Sequence, residues 1–449
     1  MKTIIIIGGG LSGILSAMQL LDIRKDILVK IINASHPIAL GVAYSTNDPD
    51  HLLNVPAGKM SLFPNLPDHF TDWLISKNYC SNDLANEFIP RNVFGNYITE
   101  VFNSYKNNKQ LEIIDAEATD VEKQTNKYSV FLSNGKTIAG EKIILAFGNF
   151  LPSNPKSKST SYFNTANYFQ DPWNPAYLKN IYKENSILLI GTGLTMVDCV
   201  LSILKTGFSG RIYVVSPRGY TPAPHGKSDN YPDFYKELIG RSLLEIFQTV
   251  RFHVKKAEKA NISWRAVIDA LRPHVQKIWI ALNTKEKQQF ISHIRHIWGI
   301  ARHRLPVSTF NEIVKLKEKG QLEIIGGRIT TIEEKKDNAS ISILLRKKSI
   351  TRELIVSRII NCTGPQINYK ELKNELVINL LRKKMILSDE LNMGIKTEIS
   401  GKIIQNSQDV SSDFYAIGNL LRGVLWETTA LPEIRNQAAL IAQQITETE

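Results

Sequence analysis

The sequence is poor in cysteine. Only three of its 449 residues are cysteines, Cys80, Cys199 and Cys362, and they lie far apart in the chain. No C-x-x-C pair occurs, so neither a dithiol redox centre nor a zinc knuckle is indicated. Isolated cysteines are typical of proteins of the reducing cytoplasm, and we expect a cytoplasmic location and no bound metal.

Long apolar runs and basic blocks are also missing. No stretch approaches the roughly 18 unbroken apolar residues of a membrane span. The start, "MKTIIIIGGGLSGILSAMQLL", differs from a signal peptide because three glycines interrupt it and no small-residue cleavage site follows. The net charge of +12 is scattered, and no aromatic–basic recognition motif appears. We therefore expect neither a membrane span nor a nucleic-acid partner, whereas the charge favours anionic cofactors and substrates.

A glycine-rich turn stands at the start of the chain. Thr3–Ile7 has the short, β-branched pattern of a buried parallel strand, and a helix over Leu11–Leu21 and a strand over Ile27–Ile32 follow. The turn between the first strand and the helix is G-x-G-x-x-G, which permits a tight turn, close approach to a pyrophosphate and close helix packing. It comprises Gly8, Gly10, Leu11, Ser12 and Gly13.

The second strand ends without the expected acid. In this kind of site an Asp or Glu about 20 residues after the turn binds the adenosine ribose, but Asn33 stands at that place. A neutral amide makes a weaker contact than a carboxylate. We therefore expect Asn33 to touch the ribose or its neighbourhood, and the dinucleotide to be held somewhat more loosely than usual.

A second β-α-β pattern occupies residues 186–219. Its predicted elements are a strand over Ile187–Ile190, a helix over about Thr195–Thr206 and a strand over Arg211–Ser216. Its turn has Gly191 and Gly193, but Met196 replaces the third glycine. Two such units in one chain indicate FAD in the first and NAD(P)H in the second.

The second unit favours NADPH over NADH, although NADH remains open. Its second strand ends at Ser216 rather than at an acid, and Arg218 follows. An acid would repel a 2′-phosphate, whereas a nearby arginine would attract it. A plain surface role for Arg218 is an equally good interpretation from the sequence.

The remaining segments complete an α/β fold with two Rossmann-like dinucleotide-binding domains and an α-helical insertion. We predict an FAD-binding domain in two parts, 1–165 and 355–449, and an NAD(P)H-binding domain at 183–354. The insertion covers about 235–300, where apolar residues recur at helical spacing. Thr309 and Glu312 form a capping-box pattern that would open a helix ending at Gly320. Residues 151–180 have the composition of a linker.

Four stretches carry a resemblance to a known family: "GVAYSTNDPDHLLNVPAGKMSLFPNLPDHFTDWL" (41–74), "LLIGTGLTMVDCVLSIL" (188–204), "RHRLP" (302–306) and "YAIGNLLRGVLWETTALPEIRNQAA" (415–439). Through them nearly the whole chain resembles the YdhS-type FAD/NAD(P)-binding proteins. That group is similar to the two-domain flavin monooxygenases, whose relatives include N-oxygenases that convert the amine of aspartate to a nitro group. The resemblance implies oxygen transfer from a flavin C4a-(hydro)peroxide to a small substrate, with dioxygen as co-substrate.

Site residues can be carried over from this resemblance position by position. The segment 41–63 would wrap the flavin, "AIGN" would close over the ribityl and pyrophosphate, and "GTGLT" with Arg218 would hold NADPH. Many flavoproteins have Asp where this chain has Asn419. Beyond the first glycine turn and Asn33, the implied cofactor residues are Leu53, Asn54, Val55, Met60, Gly148, Gly191, Gly193, Thr195, Arg218, Gly364, Gly418, Asn419 and Trp426.

The sequence identifies no catalytic residue, and it leaves the substrate open. An anionic substrate would need arginine, and the candidates are Arg91, Arg302, Arg304 and Arg422. His303 lies between two of them in sequence, which would lower its pKa if they are close in space. Plain core packing is a competing interpretation for Trp426. Two other functions remain open: a flavin reductase or dehydrogenase with a non-oxygen acceptor, and a non-catalytic FAD-binding scaffold.

Overall fold

The computed structural model describes residues 1–34, 36–79, 81–226, 230–346, 350–405 and 409–447. The strands are β1 (Lys2–Ile7), β2 (Ile27–Asn33), β3 (Leu111–Asp115), β4 (Ala118–Lys123), β5 (Tyr128–Leu132), β6 (Thr137–Gly140), β7 (Lys142–Leu145), β8 (Tyr168–Phe169), β9 (Ser186–Ile190), β10 (Arg211–Ser216), β11 (Leu322–Lys335), β12 (Asn338–Leu345), β13 (Thr351–Val356), β14 (Arg358–Asn361), β15 (Lys402–Ile404) and β16 (Val410–Ala416).

The α-helices lie between and after these strands. They are α1 (Leu11–Ile23), α2 (Gly41–Tyr44), α3 (His69–Ser76), α4 (Arg91–Lys106), α5 (Leu194–Lys205), α6 (Leu243–Lys259), α7 (Trp264–Leu271), α8 (Val275–Ala281), α9 (Thr284–Gln289), α10 (Arg295–Arg302), α11 (Val307–Glu318), α12 (Glu375–Arg382) and α13 (Leu431–Glu447). A π-helical segment, Phe290–Ile294, joins α9 to α10.

The first sheet joins the two ends of the chain. Its order is β15-β16-β7-β1-β2-β3, and all pairs are parallel except β15 with β16. The central strand β1 is apolar and fully buried over Ile4–Ile7, as the sequence predicts for a strand covered on both faces. On one face α1 shares a hydrophobic core with α13, which places the last helix against the first. The antiparallel sheet β4-β5-β6 extends this domain.

The second sheet repeats the arrangement of the first. Its order is β13-β12-β11-β10-β9-β14-β8, with β9 between the parallel partners β10 and β14. The sheet reaches beyond residue 354: that predicted boundary falls within β13, and β14 pairs with β9 through Arg358–Asn361. At its other edge β8 draws residues 168–169 of the predicted linker into the same sheet.

The helical insertion is formed by α6 to α10, as the periodicity predicts, and it extends two residues past 300. Two of its helices begin with reciprocal capping boxes, Ser242 with Glu245 and Asn283 with Glu286. In each box the first residue accepts a hydrogen bond from the backbone of the glutamate, whose carboxylate accepts one from the first residue's N–H.

The capping box expected at Thr309 is wrong. The helix begins two residues earlier, at Val307, and Thr309 is buried inside its first turn. Pro306 is the reason, because its φ of −52° and extended ψ of 143° set the helix entry directly. The predicted end is confirmed, since Gly320 takes a left-handed φ of +71° just after the helix. No helix in the described ranges is long and apolar enough to cross a membrane.

Candidate functional site

The two glycine turns have nearly the same backbone geometry. Gly8 and Gly191 take left-handed φ angles of +113° and +105°. Gly10 and Gly193 precede the following helices with ψ angles of −173° and −170°. Each turn follows the strand at which the strand order of its sheet reverses. Open α/β sheets bind nucleotides at this switch point. Free N–H groups at the starts of α1 and α5 therefore point into such crevices.

The third glycine differs in the two turns. A Cβ atom at Gly13 would lie 1.9 Å from the carbonyl oxygen of Gly8, so helix and turn touch backbone to backbone. In the second turn Met196 occupies that place, and its side chain is fully buried in the domain core. The first two glycines of the turn are sufficient to begin α5 in the same way.

A cleft of about 400 Å³ opens over the first turn. The predicted cofactor residues in its wall are Gly8, Gly10, Leu11, Ser12, Asn33, Gly148 and Asn419. A Cβ atom at Gly10 would meet nothing of the protein closer than the Cα of Gly41, at 3.6 Å. Chain packing therefore does not demand this glycine, whereas a pyrophosphate lying on the turn would. The cradle fits the dinucleotide part of FAD.

Asn33, which the sequence assigns to the adenosine ribose, lies in the wall of this cleft. Its side-chain Nδ2 donates a hydrogen bond to the carbonyl oxygen of His36 at 2.9 Å. Its Oδ1 stands over Gly9, where an added Cβ would approach it to 2.6 Å. This contact uses one of the two amide N–H donors of Asn33 and leaves its Oδ1 as an acceptor beside the glycine turn. That oxygen suits a ribose hydroxyl.

An acid of the kind that β2 lacks follows shortly after the neighbouring strand. Glu117 follows β3, which pairs with β2, and it lines the same cleft as Asn33. Its Oε1 accepts a hydrogen bond from Asn374 Nδ2 at 3.3 Å, and Asn374 lines the cleft as well. Sequence reasoning missed both residues because nothing in the pattern of β2 indicates which strand will lie beside it.

Asn419 marks the other end of the cleft. Its Nδ2 donates to Asn149 Oδ1 at 3.2 Å, whereas its Oδ1 is buried and has no partner among the described residues. The loop is fixed from below by Gln437, which accepts from the N–H of Gly418 and donates to Thr428 Oγ1. An orphaned acceptor in this cleft fits a hydroxyl group of the ribityl chain.

The segment 53–60 lies mainly behind the cleft. Leu53 and Met60 are buried in the core of the first domain, and Val55 packs against that core. The carbonyl of Asn54 faces Nε2 of His225 at 3.1 Å, where burial lowers the pKa of the histidine. The part of the resembling stretch that lines the cleft is α2 with Leu40 before it.

A second cleft, of about 590 Å³, opens over the second turn. Gly193, Thr195 and Arg218 line it, and Gly364, with a φ of +86°, precedes its wall residue Pro365. Asn149, Asn419 and Thr429 line both clefts. The two nucleotide crevices are therefore adjacent, and these three residues stand at their junction.

Arg218, in the wall of the second cleft, has two further arginines close to it. Arg218 donates to the carbonyl oxygen of Ser292 at 3.1 Å and also lines a shallow pocket with Arg328 and Arg346. Arg346 in addition lies 6.0 Å from the ring of Tyr220. The sequence indicated only Arg218, because the other two belong to the antiparallel strands β11 and β12 and the turn after them.

Three of the four arginines proposed for substrate have protein partners instead. Arg91 pairs with Asp198 at 2.9 Å, Arg302 with Glu427 at 2.9 Å and Arg304 with Asp269 at 2.9 Å. Arg304 also donates to the carbonyl oxygens of Ala301 and Arg265. These guanidinium groups are engaged in holding the chain together.

Arg422 is the exception. It lines the second cleft, and no hydrogen bond or ion pair to its guanidinium occurs among the described residues. Burial lowers its pKa, and Arg295 nearby lowers it further. The pKa of His303, in the same wall, is lowered by burial, raised by Glu427 and lowered by Arg302 and Arg422. The expected lowering of the pKa of His303 is therefore present. The second arginine that contributes to it is Arg422 rather than Arg304.

Trp426 does not line either cleft. It packs against Trp279 and Phe290, with ring centroids 5.0 and 5.2 Å away, in the interface with the helical insertion. Its ring lies 5.7 Å from the guanidinium of Arg422. The tryptophan thus separates the second cleft from the interior of the insertion.

Two cysteines meet in space although they are distant in sequence. Cys199 on α5 and Cys362 after β14 are buried, and their Sγ atoms are 3.7 Å apart. Burial raises the pKa of Cys362, which disfavours a reactive thiolate. Neither lines a cleft. Cys80 lies outside the described residues, within which no metal-binding cluster of His, Cys, Asp and Glu is found.

Substituting Asn33 by alanine should weaken FAD binding about fivefold, because one neutral hydrogen bond contributes about 1 kcal/mol. The measurement is the dissociation constant of FAD from fluorescence titration of stripped protein. The urea midpoint of the stripped protein serves as the control and should be unchanged, since Asn33 contacts only a surface carbonyl. Unaltered FAD affinity would show that Asn33 does not reach the cofactor.

Comparison with known proteins agrees with this geometry. Residues 5–150 match the profile of a family described as FAD–NAD(P)-binding, which bears out FAD and a nicotinamide dinucleotide as the cofactor class. A search of curated proteins found no significant match.

Solved structures with the same fold cover the whole chain. An L-lysine 6-monooxygenase from Pseudomonas syringae has a TM-score of 0.67 at 14% identity, covering 100% of this chain and 99% of that one. The ornithine N-hydroxylase of Kutzneria sp. 744, solved with reduced FAD, NADP⁺ and L-ornithine, gives 0.66 at 12%, with the same coverage. A bacillithiol disulfide reductase from Bacillus cereus gives 0.56 at 14%, again with 100% and 99% covered. The predicted α/β fold with two Rossmann-like domains is confirmed.

Proposed function

We propose that this protein is an NADPH-dependent flavin monooxygenase that adds oxygen to the nitrogen of a small amine. The observation that carries this proposal is the junction of the two nucleotide clefts at Asn149, Asn419 and Thr429. A flavin in the first cleft and a nicotinamide in the second would face each other there. Bound FAD supplies hydride acceptance and oxygen activation, whereas the protein supplies binding and orientation.

The chain's own residues have distinct tasks in this proposal. The start of α1 holds the pyrophosphate through its free N–H groups. Asn33 and Glu117 accept hydrogen bonds from the adenosine ribose, and Asn419 Oδ1 accepts one from the ribityl chain. The helical insertion covers the second cleft with one face of α10, through His296, Gly299 and Ile300, and so excludes water from the junction.

The absence of cysteine from both cleft walls favours oxygen as the electron acceptor. A disulfide reductase must bring sulfur to the flavin, but Cys199 and Cys362 lie in the core behind α5. Dioxygen, by contrast, needs no sulfur group at the flavin.

We further propose that the substrate carries a negative charge. Arg422 and Arg295 are partly buried cations to which no ion pair is found within the described ranges. Buried charges are normally paired, so an anion is expected to join them. An acidic amino acid such as aspartate, the substrate of N-oxygenases that the sequence resembles, has both the amine and the anionic groups.

Replacing Arg218 or Arg346 by alanine should raise the KM for NADPH about tenfold to a hundredfold. A hydrogen bond to a charged group contributes about 1.5–3 kcal/mol, and only NADPH has the 2′-phosphate to receive it. The KM for NADH should not change. Arg211→Ala, at an exposed arginine of the same domain outside the cleft wall, is the matched control. Equal losses with both nucleotides would contradict the assignment.

Stopped-flow spectroscopy tests the whole proposal. The FAD-loaded protein is reduced with NADPH and then mixed with air-saturated buffer, with and without aspartate, ornithine, lysine or cadaverine. We expect reduction by NADPH, a transient absorbance distinct from that of oxidised and reduced flavin, and an N-oxygenated product from one amine class. Simple reoxidation with every amine, with all oxygen recovered as hydrogen peroxide, would contradict the proposal.

A further inference from the structure

The helical insertion encloses an apolar cavity that belongs to neither nucleotide cleft. Its volume is about 140 Å³, and α6, α7, α8, α10 and the C-terminal segment contribute its walls. Every lining residue is a Leu, Ile, Val, Phe, Trp or Ala. Its deepest side chains include Trp279 and Trp426, whereas Ile297 at its rim is 45% exposed.

Such a space is more than a packing irregularity. Protein interiors hold few voids larger than a water molecule, and an empty apolar cavity loses the contacts of its lining atoms. An engineered apolar cavity of about 150 Å³ stays dry and binds benzene. A cavity of this size and lining therefore suits an uncharged hydrocarbon group.

One buried polar atom in the wall also lacks a partner. The indole N–H groups of Trp279 and Trp298 donate to the carbonyl of Gly423 and to Glu427. The Nε1 of Trp426, by contrast, is buried without a partner among the described residues. It offers a single hydrogen bond to an acceptor on an otherwise apolar occupant.

The cavity is one helix away from the proposed reaction site. Helix α10 presents Gly299 to the second cleft and Ala301, two residues later, to the cavity. Small residues on both faces make this wall thin, and a Cβ at Gly299 would meet only open space. Trp426 forms the adjoining wall, and Arg422 on its other side lines the cleft.

The wall begins at an irregular segment. The π-helical stretch before α10 contributes Phe290 and Ile294 to the cavity. Such segments are rare and occur frequently at functional sites, because the wider turn redirects the side chains of the helix that follows.

We propose that this cavity binds the hydrocarbon portion of the substrate, an uncharged aliphatic or aromatic group of about six to eight carbon atoms. The proposal rests on the proposed amine oxygenation and narrows it to amphipathic amines. A carboxylate of such an amine lies at Arg422, and the apolar end passes beside Trp426. A second charge at the far end of the chain is excluded, because burying it in this lining has no compensation.

The test is a fluorescence titration of the FAD-loaded protein with straight-chain 2-amino acids from 2-aminobutanoic acid to 2-aminooctanoic acid, which carry an amine, a carboxylate for Arg422 and a hydrocarbon chain of increasing length. The three tryptophans in the wall report occupancy without any turnover. Each added methylene should lower the dissociation constant about fourfold, which corresponds to the burial of one CH₂ group. Lysine, which matches norleucine (2-aminohexanoic acid) except for its second ammonium group, should bind at least tenfold more weakly than norleucine.

Variants locate the binding. Ala301→Leu reduces the cavity and should weaken 2-aminooctanoic acid binding at least tenfold, and Val250→Phe should do so from the opposite wall. Ala260→Leu is the matched control, because Ala260 is exposed at the end of α6. Binding that ignores chain length, or survives both cavity variants, overturns the assignment whatever the oxidation assay shows.

The same amines are then assayed for NADPH-dependent N-oxygenation. If the KM falls with chain length and rises in Ala301→Leu, the cavity holds the substrate's hydrocarbon portion. If binding follows chain length but 2-aminooctanoic acid is not oxidised while lysine is, the substrate assignment is overturned. If binding follows chain length and no amine is oxidised, the proposed function fails, although the cavity remains a hydrocarbon-binding site.

Discussion

Replacing Gly13 by alanine is expected to produce a protein that no longer retains FAD. The added methyl group would lie 1.9 Å from the carbonyl oxygen of Gly8, and real Cβ atoms do not approach another heavy atom below 3.0 Å. Turn and helix must separate, which moves the N–H groups at the start of α1 away from the pyrophosphate. Losing two charge-assisted hydrogen bonds costs about 3–6 kcal/mol, so we expect FAD to bind at least about a hundredfold more weakly.

A substitution at Gly10 tests contact with the cofactor without disturbing the packing of the protein. An alanine at this position meets only Gly41, at an ordinary contact distance of 3.6 Å. Gly10→Ala should therefore lose FAD affinity while the urea midpoint of the FAD-free protein stays that of the unsubstituted chain. Gly13→Ala should lower that midpoint too, because overpacking costs about 1–3 kcal/mol.

The second turn provides the matched control. Gly193→Ala places the same methyl group at the equivalent position, where nothing of the protein lies within 4 Å. It should raise the KM for NADPH and leave FAD retention intact. The ratio of flavin to protein absorbance after gel filtration measures retention in all three variants. Full retention of FAD by Gly13→Ala would contradict the assignment of the first turn.

The sequence was informative where local rules determine structure. Four buried apolar runs predicted β1, β2, β9 and β10 to within a residue or so, because a strand covered on both faces needs no polar alternation. The glycine spacing predicted both turns, since left-handed φ angles and close backbone approach require glycine. Thr309 shows the limit of such rules, because the neighbouring Pro306 determines where α11 begins.

The sequence could not predict which side chains the fold brings together. Arg91 and Arg304 carry the same charge as Arg422, and only the fold gives the first two a carboxylate and leaves the third facing the cleft. Cys199 and Cys362 lack C-x-x-C spacing, yet they touch across 163 residues. Glu117 brings a carboxylate to the same cleft wall as Asn33 because β3 lies beside β2. Each of these depends on strand order, which local periodicity does not encode.

Arg91→Leu is expected to be the most destabilising single change away from the cofactor site. Arg91 opens α4 in the first domain, and Asp198 lies on α5 in the second, so their ion pair joins the two nucleotide domains. Asp198 is buried, with 6% of its surface exposed. Removing one partner of a buried ion pair leaves the other charge buried and unpaired, which lowers the free energy of unfolding by about 3–5 kcal/mol.

The loss should depend on pH in a defined direction. Burial raises the pKa of Asp198, whereas Arg91 and His51 lower it. Without Arg91 that pKa rises further above its unfolded value of about 3.8. The folded state then takes up a proton more readily than the unfolded state, so acidification favours folding. The deficit in unfolding free energy should be largest near neutral pH and shrink as the pH falls towards 5.

Two further variants test whether the unpaired buried charge of Asp198 causes the loss of stability. Arg241→Leu makes the same substitution at an exposed pair with Glu245 and should cost no more than about 1 kcal/mol. Adding Asp198→Asn to Arg91→Leu removes the buried charge and should recover part of the loss at neutral pH. Urea unfolding at equal FAD saturation measures all of them.

The pH profile distinguishes stranded charge from lost packing. Arg91 also lies 5.8 Å from the ring of Trp173 and donates to the carbonyl oxygen of Leu52, and leucine abolishes both contacts. Those losses do not change when Asp198 takes up a proton. A deficit that stays constant from pH 7.5 to 5, and that Asp198→Asn does not relieve, would therefore assign the effect to packing and contradict the role of the ion pair. A deficit in unfolding free energy that shrinks as the pH falls would show that Arg91 of the first domain compensates the buried charge of Asp198 in the second, and that this ion pair holds the two domains together.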